Sequence, residues 1–180
     1  MKLTRAQILE ALGALSRGLA TREIQGEICL FGGTAMVLAF DARETTRDVD
    51  AVFEPPQIVR EIAGNVAQEL RLPPDWLNDG VKGFLSPEGD FTTENLPEFP
   101  KLRITRPTTR YLLAMKCLAS RVSGYDTDGD RTDILHLARE LEIDDADQVL
   151  DVVAEYYPRE QIPVKTQFFV REIMEEGRNQ

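Results

Sequence analysis

Two glycines between two different kinds of local order constrain this chain most. Gly26-Glu-Ile-Cys-Leu-Phe31 is a strand-like run that ends in Gly32-Gly33, a turn signal. Thr34 then reads as the cap of a short apolar helix, Ala35-Met-Val-Leu-Ala-Phe40. With thirteen residues between it and Thr34, Asp48-Val-Asp-Ala-Val-Phe53 alternates polar and apolar side chains. Alternation with a period of two is a half-buried strand, and it puts Asp48 and Asp50 on one face. Strand, turn, helix and strand in that order describe the beginning of a small α/β unit.

The flanking sequence extends this unit. Thr4 followed by Gln7 spells a capping box, which predicts a helix over about residues 5–18 with Ile8, Leu9, Leu12 and Leu15 as its apolar stripe. Pro55-Pro56 ends the second strand and opens a helix of about 57–70. Residues 71–100 are rich in Pro, Gly, Asp and Asn and read as irregular, with a strand expected near 83–86. Lys101-Leu-Arg-Ile-Thr105 reads as a strand, and Arg106-Pro107 as the start of a helix of about 108–121. A polar loop around Tyr125–Gly129 precedes helices of about 131–141, 145–157 and 163–176, with Pro158 and Pro163 as punctuation. The fold class expected is α+β. Residues 1–105 form an α/β-like core with a small mixed sheet flanked by helices, and residues 106–180 form a helical part packed on it as one compact unit. No internal repeat or low-complexity tract is present.

Composition narrows the chemistry. The chain has 180 residues, two cysteines and one histidine. Cys29 and Cys117 are too few and too far apart for a disulfide scaffold or a cysteine zinc site, and each lies among apolar neighbours as a reduced core thiol would. A single His136 excludes a His-rich zinc site and most histidine-based acid–base schemes. Catalysis would have to rest on carboxylates, on Lys or Arg, or on a metal. No run approaches the length of a membrane helix, and the N-terminal pattern is not that of a signal peptide, so a cytoplasmic protein with no membrane partner is expected.

The net charge of −10 argues against a protein that coats nucleic acid. It is unevenly spread. Residues 101–121 carry Lys101, Arg103, Arg106, Arg110, Lys116 and Arg121 with no acid, whereas the flanking segments carry −7 and −9. Such an island is either an anion site or a set of solvated helix and strand charges.

The two motifs together carry chemistry. A Gly-Gly turn lets a backbone approach a phosphate closely, and Thr34 adds a hydroxyl. Two carboxylates two positions apart on one strand make a hard oxygen site for Mg²⁺, completed by substrate phosphates and water. Either motif alone is an ordinary turn or a solvated strand face. On its helix, Lys116 lies beside Leu112, Leu113 and Ala119, so it either snorkels or points at an anion.

Leu30-Phe-Gly-Gly-Thr-Ala-Met36 with Arg43-Glu-Thr-Thr-Arg-Asp-Val-Asp-Ala-Val-Phe53 resembles the polymerase-beta-type nucleotidyltransferase superfamily. Its form is similar to the branch that includes AbiEii-type toxins and the small minimal nucleotidyltransferases of bacteria. The strong match covers about residues 28–54. A weaker one runs through Trp76-Leu-Asn78 and residues 112–141, with Lys116 and Arg131-Thr-Asp133-Ile134. The resemblance implies that Gly32, Gly33 and Thr34 hold a nucleoside triphosphate and that Asp48 and Asp50 ligate Mg²⁺ or Mn²⁺. Lys116 would contact phosphate, and Asp133 would position Lys116 or the nucleotide. Arg47 and Arg121 are looser candidates.

The implied activity is Mg²⁺-dependent transfer of a nucleoside monophosphate to a hydroxyl acceptor, an RNA 3′ end or a protein side chain, as in a toxin–antitoxin component. One alternative is a degenerate binding module that works with a cognate partner protein. A third is a small-molecule transferase of the aminoglycoside-modifying kind. Complete members of the superfamily often add a third carboxylate on a later strand. Lys101–Thr105 has none, and Asp90 and Glu98 lie in irregular sequence. Asp126-Thr-Asp-Gly-Asp130 lacks the glycine and the final acid of an EF-hand and reads as a connecting loop. Tyr156, Tyr157, Phe168 and Phe169 read as helical core, and His136 as a packed or partly exposed helix residue.

Overall fold

Thr4 opens the first helix by the capping box its sequence spells: its hydroxyl accepts from the Gln7 N–H, and the Gln7 side chain accepts from the Thr4 N–H at 3.0 Å. In the computed structural model, which describes residues 2–119 and 127–178, the chain is a mixed α+β protein. It divides into two units, Met1–Gly83 with Thr92–Arg106, and Phe84–Phe91 with Pro107–Gln180. Residues 84–91, which the sequence assigns to the N-terminal half, belong to the second unit.

From Leu3 to Pro107 the chain runs β1 (Leu3–Thr4), α1 (Arg5–Thr21), β2 (Gly26–Leu30), α2 (Gly32–Leu38), β3 (Thr45–Thr46), β4 (Val49–Glu54), α3 (Pro56–Leu70), β5 (Leu77–Asn78), β6 (Phe91–Thr92) and β7 (Leu102–Pro107), and the unit boundaries fall within β6 and β7. The main sheet has the order β5-β4-β2-β7-β6. β2 is antiparallel to β4 and parallel to β7, and β4 is parallel to β5. A second, two-stranded sheet pairs β1 with β3, Leu3 opposite Thr46 and Thr4 opposite Thr45.

Period-two burial decides which way β4 faces. Val49, Ala51 and Phe53 are buried, while Asp50 and Val52 on the other face are only partly so. Ile28 and Leu30 of β2 and Leu102 and Ile104 of β7 join the same core. Helices α1 and α3 contribute Leu12, Leu15 and Leu19, and Val59, Ile62 and Val66. Each such side chain, fully buried, is worth about 1.5–3 kcal/mol of transfer free energy. The two helices approach closely at Gly18, where a Cβ would stand 2.4 Å from an Ile62 methyl.

Trp76 ties the irregular stretch to this frame. It is 1% exposed, its indole N–H donates to the Ala63 carbonyl at 3.0 Å, and its own carbonyl accepts from Val49 N–H at 2.7 Å. That anchor places Leu77 opposite Val49 and Asn78 opposite Asp50.

The second unit holds α4 (Thr109–Ala119), α5 (Thr127–Glu140), α6 (Ala146–Tyr156) and α7 (Val164–Arg178). Tyr111 stacks on Tyr156 with ring centroids 4.8 Å apart, and Phe169 is buried.

Four local expectations are corrected. The strand expected near 83–86 is absent; Gly80–Phe84 is a 3₁₀ turn, as its two glycines favour, and the local strand lies at Phe91–Thr92. Thr34 does not cap α2: Phe31 is the N-cap residue and the two glycines are already helical. α5 begins at Thr127, so Thr127–Asp130 open a helix rather than close a loop; Arg121 and Tyr125 lie outside the described residues. Phe168 is 67% exposed and is not core.

Candidate functional site

Five of the residues singled out in the sequence come together at the end of β2. Leu30 pairs with Ala51, so the next residue, Phe31, donates its N–H to the Asp50 carbonyl at 2.9 Å. The chain then turns at Gly32 with φ +54°, a left-handed backbone that favours glycine. A Cβ there would stand 3.0 Å from Asp50 Oδ2, so the Asp50 carboxylate lies against the bare glycine. A Cβ on Gly33 would stand 2.4 Å from Thr46 Oγ1 and 3.7 Å from Arg43 Nη1. The Thr34 side chain is fully buried and its hydroxyl donates to the Asp48 carbonyl at 3.0 Å. Gly32, Gly33 and Thr34 are thus fastened to the strand that carries the aspartates.

Asp48 and Asp50 lie on the side of β4 away from the core. Partial burial and the neighbouring Asp50 carboxylate hold the Asp48 pKa above its ordinary value, with Asp75 adding to the effect; Arg47 and a hydrogen bond from Asn78 oppose it. Asn78 Nδ2 donates to Asp48 Oδ2 at 3.1 Å. Among the described residues no group of three or more His, Cys, Asp or Glu side chains is arranged to hold a metal ion. Two carboxylates nevertheless fit Mg²⁺, which takes one or two from a protein and completes its shell with phosphate and water. A cation between them would relieve the repulsion that Asp50 exerts on Asp48.

Sequence reading left Asn78, Thr46, Arg43 and Asp75 without a role. Asn78 carried a signal in the Trp76-Leu-Asn78 match. Thr46 and Arg43 lie inside the quoted motif, but their approach to Gly33 depends on the β1–β3 pairing, which no pattern announces. The later strand examined for a third acid, β7, adjoins β2. The strand beside β4 on its other side is β5, and the residue it sets opposite Asp50 is an amide, Asn78. Asp90 accepts from the Thr108 hydroxyl at 2.9 Å, and Glu98 is exposed.

Lys116 and Asp133 belong to the second unit. Lys116 is 8% exposed and Asp133 fully buried, and Lys116 Nζ lies 2.6 Å from Asp133 Oδ2 and 3.2 Å from Asp130 Oδ1. Lys116 therefore neither snorkels nor stands alone; it is held by two carboxylates of α5. Arg131 pairs with Glu172 and Glu176 of α7 and lies over the Phe169 ring.

The basic island resolves into separate pairs. Arg103 reaches Glu27 at 3.5 Å, and Arg110 pairs with Glu155. Arg106 is 3% exposed, donates to the Glu94 carbonyl and lies 4.6 Å from the Phe40 ring centroid. Arg103 and Arg110 are thus paired with carboxylates, and Arg106 with a backbone carbonyl.

Neither Cys29 nor Cys117 is in a disulfide, and burial pushes Cys29 up to about 11 and Cys117 up to about 12, which disfavours the thiolate at neutral pH. Among the described residues no helix is long and apolar enough to cross a membrane. No protein-family model, no curated protein and no solved structure matches this chain.

Proposed function

We propose that this protein is a divalent-cation-dependent nucleotidyltransferase of the polymerase-beta type, related to the AbiEii-like toxin branch. It moves a nucleoside monophosphate from a nucleoside triphosphate to a hydroxyl of an RNA 3′ end or a protein side chain, in the cytoplasm. The observation that carries this reading is the closure of Asp50 over Gly32 with Thr34 bonded to the Asp48 backbone. Paired carboxylates and a half-buried glycine turn in one place suit a phosphate-bearing substrate with its cation.

In this reading the acceptor oxygen attacks the α-phosphorus, the bond to the β-phosphate oxygen breaks, and pyrophosphate leaves with the negative charge. The acceptor proton passes to solvent or to a carboxylate of the pair. Mg²⁺ or Mn²⁺, when bound, would neutralise phosphate charge as the leaving group departs. Asp48 and Asp50 would hold it, and the backbone of Gly32 and Gly33 would receive the triphosphate. The roles of Lys116 in contacting phosphate and of Asp133 in positioning it rest on the resemblance.

A label-transfer assay tests the reading. Purified protein is incubated with each α-labelled nucleoside triphosphate, Mg²⁺ or Mn²⁺, and the RNA and protein fractions of a bacterial lysate or an aminoglycoside panel. Label that enters one fraction with the wild type and not with Asp50→Ala supports transfer and identifies the acceptor class. No label with any acceptor, from folded protein, overturns it in favour of a binding module acting with a partner protein.

A further inference from the structure

We infer that Asn78 is a positioning residue that orients the Asp48 carboxylate for divalent-cation binding, an inference that rests on reading Asp48 and Asp50 as a cation site. The two ends of the Asn78 amide have different partners. Its Oδ1 accepts from the Gly80 N–H at 3.1 Å, and its Nδ2 donates to Asp48 Oδ2 at 3.1 Å. The Gly80 N–H can only donate and an ionised carboxylate can only accept, so only one orientation of the amide satisfies both. The turn at Asn78–Gly80 therefore aims a donor at Asp48.

Three observations show that this aim is built. Trp76, buried against α3 and bonded to Val49, fixes the register that sets Asn78 opposite Asp50. The next residue, Asp79, is taken up by Arg60 and Lys82 and so does not compete for the amide. Asn78 also holds a carboxylate without bringing a third negative charge to a pair that already repels, and it engages one oxygen of Asp48 while leaving Oδ1 outside that bond. Partners that orient metal-binding side chains in this way typically account for about 10–100-fold in metal affinity.

Manganese binding tests this without any activity assay. Free Mn²⁺ is titrated by electron paramagnetic resonance against wild type, Asp48→Asn, Asn78→Ala and Asn78→Ser, with thermal unfolding recorded for each. Asn78→Ala is expected to weaken Mn²⁺ binding by about 10–100-fold. Asn78→Ser keeps an oxygen for the Gly80 N–H, so the turn survives; it adds no charge and is too short to carry a donor to Asp48, so Mn²⁺ binding is expected to weaken over the same range of about 10–100-fold. A residue that merely shapes the turn predicts wild-type affinity in Asn78→Ser. Loss of binding in Asp48→Asn, with Asn78→Ala within about twofold of wild type, overturns the inference and leaves the cation site standing. An Asn78→Ser affinity equal to wild type overturns it in the same way, and does so even where Asn78→Ala fails to fold. A wild type that holds no Mn²⁺, with or without a nucleoside triphosphate, overturns the cation reading itself.

Discussion

Asp50 closes over Gly32 so tightly that one methyl group on that glycine would stand 3.0 Å from the carboxylate oxygen. The glycine is also in the left-handed region, at φ +54°. Gly32→Ala therefore meets a backbone penalty of about 1–2 kcal/mol and must also displace Asp50. It is expected to lower Tm and to weaken Mn²⁺ binding together. Gly64 supplies the contrast: a Cβ there meets nothing within 4 Å, in the middle of α3. Gly64→Ala should stabilise the protein by about 0.5–1 kcal/mol and leave Mn²⁺ binding untouched. Thermal unfolding and Mn²⁺ titration of the two variants check both signs.

Asp48 costs the fold stability when it is ionised. Burial and Asp50 raise its pKa, so the folded protein holds that proton more tightly than the unfolded chain does. Linkage then makes stability fall as pH rises from the ordinary aspartate value through the raised one. Asp48→Asn keeps an oxygen for Asn78 and removes the charge. It should stabilise the protein at pH 7 by under about 1 kcal/mol, because solvent screens a half-buried group, and so raise Tm, while abolishing label transfer. The gain should vanish below the ordinary aspartate range. A variant with unchanged Tm at pH 7 would show that the pair is not strained.

Much of this arrangement is legible in the sequence because local rules agree there. The Thr4–Gln7 box, the proline start of α3 and the alternation of β4 each depend on a few neighbouring residues. Asn78 is visible only as part of a weak match, because its approach to Asp48 depends on Trp76 fixing a two-residue strand against β4. Thr34 was misread for a similar reason. A threonine after two glycines looks like a cap, but its hydroxyl is taken by the Asp48 carbonyl fourteen residues on. Sequence proximity along the charge island also says nothing of the partners that folding delivers: the Glu27 and Glu155 carboxylates to Arg103 and Arg110, and the Glu94 carbonyl to Arg106.

Arg5 braces the glycine helix from its far end. Its Nη1 donates to the Val37 and Leu38 carbonyls at 2.9 and 2.7 Å, satisfying acceptors that a seven-residue helix leaves open. Arg5→Met keeps the apolar stem and removes the charge. A loss of about 1.5 kcal/mol is expected, at the low end for a charged donor because the residue is largely exposed. Chemical denaturation measures it, and Arg5→Lys should recover part of the loss.

Acid should fray α6 from its start. Asp145 accepts from the Asp147 and Gln148 N–H groups, and these bonds, with Arg178, hold its pKa below the ordinary value. A depressed pKa contributes stability that is present above the unfolded value and lost as pH falls through the folded one. Asp145→Asn retains an acceptor for the cap but cannot titrate. Its Tm should vary less with pH than that of wild type across the acid range below the ordinary aspartate value, as a pH series of thermal scans would show.

Lys116 and Asp133 form the most deeply buried ion pair of the second unit, and the two partners should not be equally dispensable. Removing one member of such a pair strands the other charge and costs about 3–5 kcal/mol. Lys116 has Asp130 in reserve at 3.2 Å, so Asp133→Asn leaves the ammonium with a carboxylate partner. Lys116→Met instead leaves the fully buried Asp133 without its cation at 2.6 Å. Lys116→Met is therefore expected to reach the upper part of that range and Asp133→Asn to fall below it. The double variant Lys116→Met/Asp133→Leu, which removes both charges, should recover most of the loss. Equilibrium denaturation of the three variants settles the order, and equal costs for the two single variants would mean that Asp130 does not support Lys116. Stability recovered by the double variant without recovery of label transfer would separate the pair's structural contribution from the role proposed for it in transfer.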